Sequence, residues 1–257
     1  MKEKVFNLIA HRGFSERSPE NTIQSFDLAL KEGFNNFEFD VQLTKDKIPV
    51  VIHDSDLIRT TGIKGIISEK KYSEIKSLNA KNNFQNLTGH FRIPTLDEIL
   101  IRYKDKAHLH LELKSRDQDL SEIVFNFLRE FKWLSSKKKI FEPGGITISS
   151  FYIEQIMRFN HFTKDENSAW LLEKITHNDL DICKSNEIDL ICPRALHANH
   201  KMVSEALEKN ILVRNWGVSS EKDLINAYNS GSKGTTVDWP TKGKEMISNY
   251  ENNKISN

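Results

Sequence analysis

Short apolar runs alternate with longer amphipathic stretches along almost the whole chain, and few architectures accept that alternation. Candidate strands cover 5–10, 36–43, 108–113, 145–149, 168–172, 189–192, 211–216 and 234–237. Between them apolar residues recur at helical spacing, as Ile23, Phe26 and Leu30 do within 22–32. A strand that must cross a helix before meeting its neighbour builds a parallel sheet. Eight such units predict an α/β fold of the (β/α)8, or TIM, barrel type. A chain of 257 residues suits it, since such barrels run to about 250 residues.

One further apolar run breaks the repeat. Pro49 to His53 is separated from the strand before it only by Lys45-Asp46-Lys47-Ile48. A parallel crossover needs roughly a dozen residues. Residues 38–53 are therefore expected to form an antiparallel hairpin at the rim, returning His53 beside Glu38 and Asp40. Residues 54–93 are polar, contain no clear strand–helix unit and read as an insertion, a candidate lid, within a single domain spanning 1–257. Ser18-Pro19 reads as the start of the first helix and Gly33 as its end. Ser135 to Lys139 reads as a solvated basic loop, and Glu251 to Asn257 as a frayed terminus.

Composition excludes several classes of function. The net charge is +1, without the concentrated basic field of a nucleic-acid binder. No apolar run reaches the roughly 20 residues of a membrane span. The two cysteines, Cys183 and Cys192, form neither a disulfide framework nor a zinc site and fit a reducing compartment. Few residues precede the strand that carries His11, so a cytoplasmic location is expected. The expected partner is a small molecule, and the oligomeric state is left open.

The chemistry gathers in four segments: Ala10-His11-Arg12-Gly13, Glu38-Phe39-Asp40-Val41-Gln42, Pro49-Val50-Val51-Ile52-His53-Asp54 and Leu111-Glu112-Leu113-Lys114. Alternate strand residues face opposite ways. Glu38, Asp40 and Glu112 thus point inward while Phe37, Phe39, Leu111 and Leu113 meet the helices. Three carboxylates converging out of water call for a positive partner. A hard divalent cation, Mg2+ or Ca2+, suits all-oxygen ligands; the alternative is a network with Arg12 and Lys114. His11 and His53 end apolar runs, where barrel enzymes carry catalytic groups, and histidine moves protons near neutral pH. Arg12 offers a hydrogen-bonding fork for phosphate oxygens. His108 and His110 lie deeper and read as interior polar residues. Trp216 and Phe151, at the ends of the seventh and fourth barrel strands, read as an apolar wall at the rim.

These segments resemble the glycerophosphodiester phosphodiesterases. The likeness runs from H-R-G and P-E-N-T at 11–13 and 19–22 through E-F-D-V-Q-L-T-K-D at 38–46 and P-V-V-I-H-D at 49–54. It continues with R-T-T-G at 59–62, P-T-L-D-E at 94–98, L-E-L-K at 111–114, I-S-S-F at 148–151 and the stretch around Trp216. The resemblance implies hydrolysis of glycerophosphodiesters to sn-glycerol 3-phosphate and an alcohol. It implies a divalent cation on Glu38, Asp40 and Glu112, with His11 and His53 as acid and base. It places Arg12 and Lys114 near the phosphate, and Trp216 beside the glycerol. Two other readings use the same residues. One is a lyase forming a cyclic phosphate from lysophospholipids, with Ile63, Ile66, Ile67 and Phe84 as an acyl entrance; the other is a non-catalytic phosphodiester-binding barrel. The chain departs from the family pattern at Lys47, where the hairpin turn usually carries glycine, at Gly217 to Ser219, and at Val237 before Asp238.

Overall fold

A computed structural model describes residues 5–134 and 139–255. Its strands are β1 (Asn7–His11), β2 (Asn36–Leu43), β3 (Pro49–Val51), β4 (His108–Leu113), β5 (Ile146–Ser150), β6 (Asn167–Leu172), β7 (Leu190–Pro193), β8 (Leu212–Val213) and β9 (Gly234–Val237). All but β3 run parallel in the order β8-β7-β6-β5-β4-β2-β1-β9. A parallel bridge from Asn215 to Thr235 joins the two ends of that row and closes the barrel. The expected 211–216 strand is thus only two residues of regular ladder, continued by single bridges at Asn215 and Trp216.

The helices are α1 (Ile23–Lys31), α2 (Ile58–Thr61), α3 (Tyr72–Ile75), α4 (Leu96–Tyr103), α5 (Leu120–Glu130), α6 (Ile153–Phe162), α7 (His177–Ser185), α8 (His200–Glu208), α9 (Glu221–Ser230) and α10 (Pro240–Ile255). No described helix is long and apolar enough to cross a membrane. The main core lies between the strands' outer face and this ring. Phe37, Phe39, Leu109 and Leu111 are fully buried there with Phe26, Ile99 and Tyr103. The Phe26 ring stacks on Phe37 with centroids 5.1 Å apart. Each such side chain contributes about 1.5–3 kcal/mol by leaving water. That gain fixes which strand face turns outward, and so which turns into the barrel.

The inward face is polar. His108 Nε2 pairs with Thr147 Oγ1 at 2.8 Å, and His110 Nε2 with Asn36 Oδ1 at 3.3 Å. Burial pushes His108 down to about 4 and His110 well below the usual histidine range, so both are neutral interior groups.

Several boundaries move. The first helix is capped by Thr22, not Ser18-Pro19, because the Thr22 side chain accepts from Ser25 N while the Ser25 hydroxyl accepts from Thr22 N. Its exit does use Gly33, left-handed at φ 86°, with Gly33 N bonded to Leu30 O and Phe34 N to Ala29 O. Glu251 to Ile255 continue α10 rather than fray, and Ser256 and Asn257 lie outside the described residues. Of the basic loop, 135–138 lie outside the described residues, and Lys139 is exposed. The stretch 54–93 holds α2, α3 and a short 3-10 turn at Ile67–Glu69. With the hairpin it forms a small core of Val50, Ile52, Leu57, Ile67, Ile75, Ala80 and Ile93. Ile67 is therefore packed inward, not at an entrance.

Candidate active site

Register decides which groups meet. β2 pairs with β4 so that Asp40 lies opposite Glu112, and β1 pairs with β2 so that His11 lies opposite Glu38. Glu38, Asp40 and Glu112 are 3%, 1% and 7% exposed. Each offers an oxygen within 4.8 Å of the others. Lys114 Nζ donates to Glu112 Oε1 at 2.7 Å and sits 3.4 Å from Asp40 Oδ1, while Arg12 Nε lies 3.3 Å from Asp40 Oδ2. Both cations thus fall on Asp40, which decides the order of the three acids. Burial opposes ionisation of Asp40, but Arg12 and Lys114 outweigh it and hold the carboxyl well below the usual range. Burial, then the Asp40 and Glu112 charges, push Glu38 well above that range. Burial and the Asp40 charge carry Glu112 up to about 7. The carboxylates therefore lack positive charge, and Glu38 Oε2 is buried without a hydrogen-bond partner. Hard oxygen donors, crowded and under-compensated, fit a divalent cation.

The segment after β1 is shaped to hold His11 and Arg12. Arg12, Gly13 and Asn21 all have left-handed backbone, at φ 56°, 81° and 56°. A Cβ on Gly13 would fall 2.3 Å from Ser25 Oγ, so the turn accepts no side chain there. Asn21 returns the chain: its N–H donates to Arg12 O at 3.0 Å, and its Nδ2 donates to Asp40 Oδ2 at 2.8 Å. His11 Nδ1 bonds Asp238 Oδ1 at 2.6 Å, and Nε2 is left facing Glu38 Oε2 at 3.8 Å. Asp238 follows the last barrel strand and also accepts from Ser15 Oγ at 2.8 Å.

His53 arrives through the hairpin. β3 pairs antiparallel with β2, with Val51 opposite Val41, and Ile52 N donates to Asp40 O at 3.0 Å. The Gln42 amide then donates to His53 O at 2.9 Å and Asp54 O at 2.7 Å. His53 Nδ1 bonds Asp54 Oδ1 at 2.7 Å. Burial, joined by the Arg12 and Lys114 charges, lowers His53 below the usual histidine range. Arg59 of α2 completes the support, donating to Asp54 Oδ2 and, through Nη1 and Nη2, to both Glu20 oxygens at 2.6 and 2.8 Å. Glu20 in turn accepts from Arg12 Nη1 at 2.9 Å.

A cavity of ≈ 170 Å³ opens at this end of the barrel, lined by His11, Arg12, Glu38, His53, Glu112 and Lys114. Phe151 and Trp216 form its apolar side, edge-to-face with centroids 4.9 Å apart. Asp40 lies beside the other acids. No described residue of 54–93 lines this cavity, and the insertion reaches the site through Arg59. A larger cavity of ≈ 330 Å³ lies at the opposite end of the barrel, by residues 187–189 and 209–211 that lead into β7 and β8. Barrel enzymes place their chemistry at the other face.

Sequence reasoning assigned no role to Asp238, Asp54, Glu20, Arg59, Asn21 or Arg214. Asp54, Glu20, Asn21 and Arg59 stood inside quoted motifs, and of these only Asp54 carried a local signal, an acid beside a histidine. Arg214 carried a different one, a cation at an inward strand position two residues before Trp216.

The sequence profile of the glycerophosphoryl diester phosphodiesterase family matches residues 11–242. The chain is 30% identical over 251 residues to a glycerophosphodiester phosphodiesterase of Bacillus altitudinis, covering 93% of this chain and 97% of that protein. It superposes with a TM-score of 0.78 and 26% identity on an Oleispira antarctica phosphodiesterase solved with the product sn-glycerol 3-phosphate, covering 95% and 97% of the two chains. A Silicibacter pomeroyi structure at 23% identity shares the fold with a TM-score of 0.83 over 96% and 95% of the chains. With a profile match over most of its length and the barrel those structures have, the chain belongs to the glycerophosphoryl diester phosphodiesterase family.

Proposed function

We propose that the protein hydrolyses glycerophosphodiesters to sn-glycerol 3-phosphate and an alcohol, with His11 and His53 as its proton-transfer pair. The observation that carries this reading is that both histidines have Nδ1 tied to a carboxylate, Asp238 and Asp54, beside one buried acidic cluster. A histidine held at Nδ1 presents Nε2 in a set direction and tautomer. Two of them on one cavity can take a proton from an attacking hydroxyl and give one to a departing alkoxide. The attacking hydroxyl belongs to water or to the glycerol 2-position.

Glu38, Asp40 and Glu112 would hold a divalent cation, Mg2+ or Ca2+, which when bound supplies positive charge against the phosphoryl oxygens. Arg12 and Lys114 orient the phosphate through charge-assisted hydrogen bonds. Phe151 and Trp216 exclude water on the side where the glycerol carbons pack. The two buried free cysteines, Cys183 and Cys192, fit a cytoplasmic setting.

The test is turnover of glycerophosphodiesters by purified protein in chelator, then with Mg2+ or Ca2+ restored, with enzymatic detection of sn-glycerol 3-phosphate. Release of that product only with metal is expected. Absence of phosphomonoester under every metal condition would overturn the reading, and a cyclic phosphate as the sole product would favour the lyase.

A further inference from the structure

Arg214 is the side chain that this chemistry leaves unused. It is 1% exposed and the largest fully buried side chain among the described residues. It lines the same cavity as His11, Glu112 and Trp216. Arg214 precedes Trp216 by two residues, so both project from the same strand face and Arg214 lies one layer deeper. Leu171 and Thr236 line the cavity with it.

None of Nε, Nη1 and Nη2 of Arg214 has a hydrogen-bond acceptor among the described residues. His108 pairs with Glu142 O and Thr147, and His110 pairs with Asn36 through Nε2, its Nδ1 having no partner among the described residues. Asp40 and Glu112 are engaged with Arg12 and Lys114. A buried guanidinium carries five N–H donors in a rigid planar fork, and leaving them unmet is costly. What it lacks is acceptor oxygens, and the cavity it lines is the place from which a ligand can supply them.

We propose that Arg214 is a specificity-determining residue whose fork donates to the vicinal hydroxyl oxygens at the free end of the glycerol moiety. The assignment rests on the glycerophosphodiester reading above. With the phosphate at Arg12 and Lys114 and the carbons against Trp216, the far end of a three-carbon chain comes down to the Arg214 layer. A fork is matched by two adjacent oxygens. An end group without the terminal hydroxyl strands buried donors, which is how a polar pocket rejects a deoxy analogue strongly.

The experiment compares glycerol 4-nitrophenyl phosphate with 2-hydroxypropyl 4-nitrophenyl phosphate. Both diesters have the same leaving group and the same 2-hydroxyl, and differ only in the terminal hydroxyl. The wild type is expected to favour the glycerol diester by ~10² or more in kcat/KM. Arg214→Met should remove most of that preference by losing the glycerol diester, as should Arg214→Lys, which keeps the charge without the fork. An equal loss on both substrates would mark a structural role and overturn the proposal. So would a wild-type preference under about 3-fold, the mark of donors met by internal water rather than by ligand. Binding of sn-glycerol 3-phosphate and of 2-hydroxypropyl phosphate to the wild type needs no variant. Equal affinities would overturn the assignment. If the wild type turns over neither diester yet binds glycerol 3-phosphate at least ~10-fold more tightly, the hydrolytic reading fails and the Arg214 assignment stands.

Discussion

His11 and Asp238 lie 227 residues apart and share a hydrogen bond of 2.6 Å. It ties the first strand of the barrel to the residue after the last, across the seam where β1 pairs with β9. Asp238→Asn should keep the shape but offer an amide N–H to Nδ1, forcing the wrong tautomer. A loss of ~10²–10⁴ in kcat is expected, as when an orienting aspartate is neutralised in a catalytic triad. The melting temperature should scarcely move. Wild-type kcat in this variant would remove Asp238 from the mechanism.

Arg59 gives the insertion its link to the chemistry, since it bonds both Asp54 and Glu20. Arg59→Met removes the fork and frees Asp54, and with it the His53 ring. Misplacement on the scale of an ångström costs on the order of 10² in rate. Circular dichroism should show the barrel intact, and Arg59→Lys should recover part of the activity. A variant with full kcat would confine Arg59 to holding the insertion in place.

The acidic cluster predicts a pH-dependent demand for metal. Glu112 stands at about 7 and Glu38 well above its ordinary 4.5, both from burial first and neighbouring charge second. For acids raised in the folded state, the associated stability is complete below about pH 4.5 and is lost as pH rises through about 7. In metal-free protein His53, His108 and His110, held below the usual histidine range, oppose that loss up to about pH 6.5, so metal binding rather than the metal-free Tm is the readout. Metal binding must displace these protons, so metal affinity and the metal-induced rise in Tm should grow over the same range. Calorimetry in buffers of different ionisation enthalpy would detect the released protons. An affinity independent of pH would contradict the assignment.

Gly13→Ala tests the loop after β1. The backbone is left-handed, and the added methyl meets Ser25 at 2.3 Å. Strain and overpacking together should cost about 3 kcal/mol, measurable by denaturant unfolding. A loss below about 1 kcal/mol would show that the turn relaxes.

Trp216 is half-buried, donates through Nε1 to Leu172 O at 3.0 Å and meets Phe151 edge-on. Trp216→Ala should raise KM for glycerol diesters by about 10-fold or more, as a lost apolar wall would. Its partial exposure predicts a stability loss below the roughly 3–5 kcal/mol of a fully buried aromatic. An unchanged KM with a sharply lower Tm would make it a plug of the barrel mouth.

Much of this site was legible before any coordinates. Strand periodicity of two placed Glu38, Asp40 and Glu112 on one face, because the alternate positions Phe37, Phe39, Leu109 and Leu111 had to be buried under helices. The four residues between Leu43 and Pro49 were too few for a crossover, which determined the hairpin and the return of His53. These are local constraints, written in spacing and hydrophobicity. The groups that orient His11 and His53 were decided only in three dimensions. Asp238 reaches His11 because the barrel closes, and Arg59 reaches Glu20 because a polar insertion folds onto the hairpin around its own small core. The Arg214 fork has no acceptor among the described residues because the chain leaving β8 turns it inward, into the barrel below Trp216. Charge partners across such distances leave no periodic trace in a chain; closure and register select them, and those follow from the packing of the whole barrel.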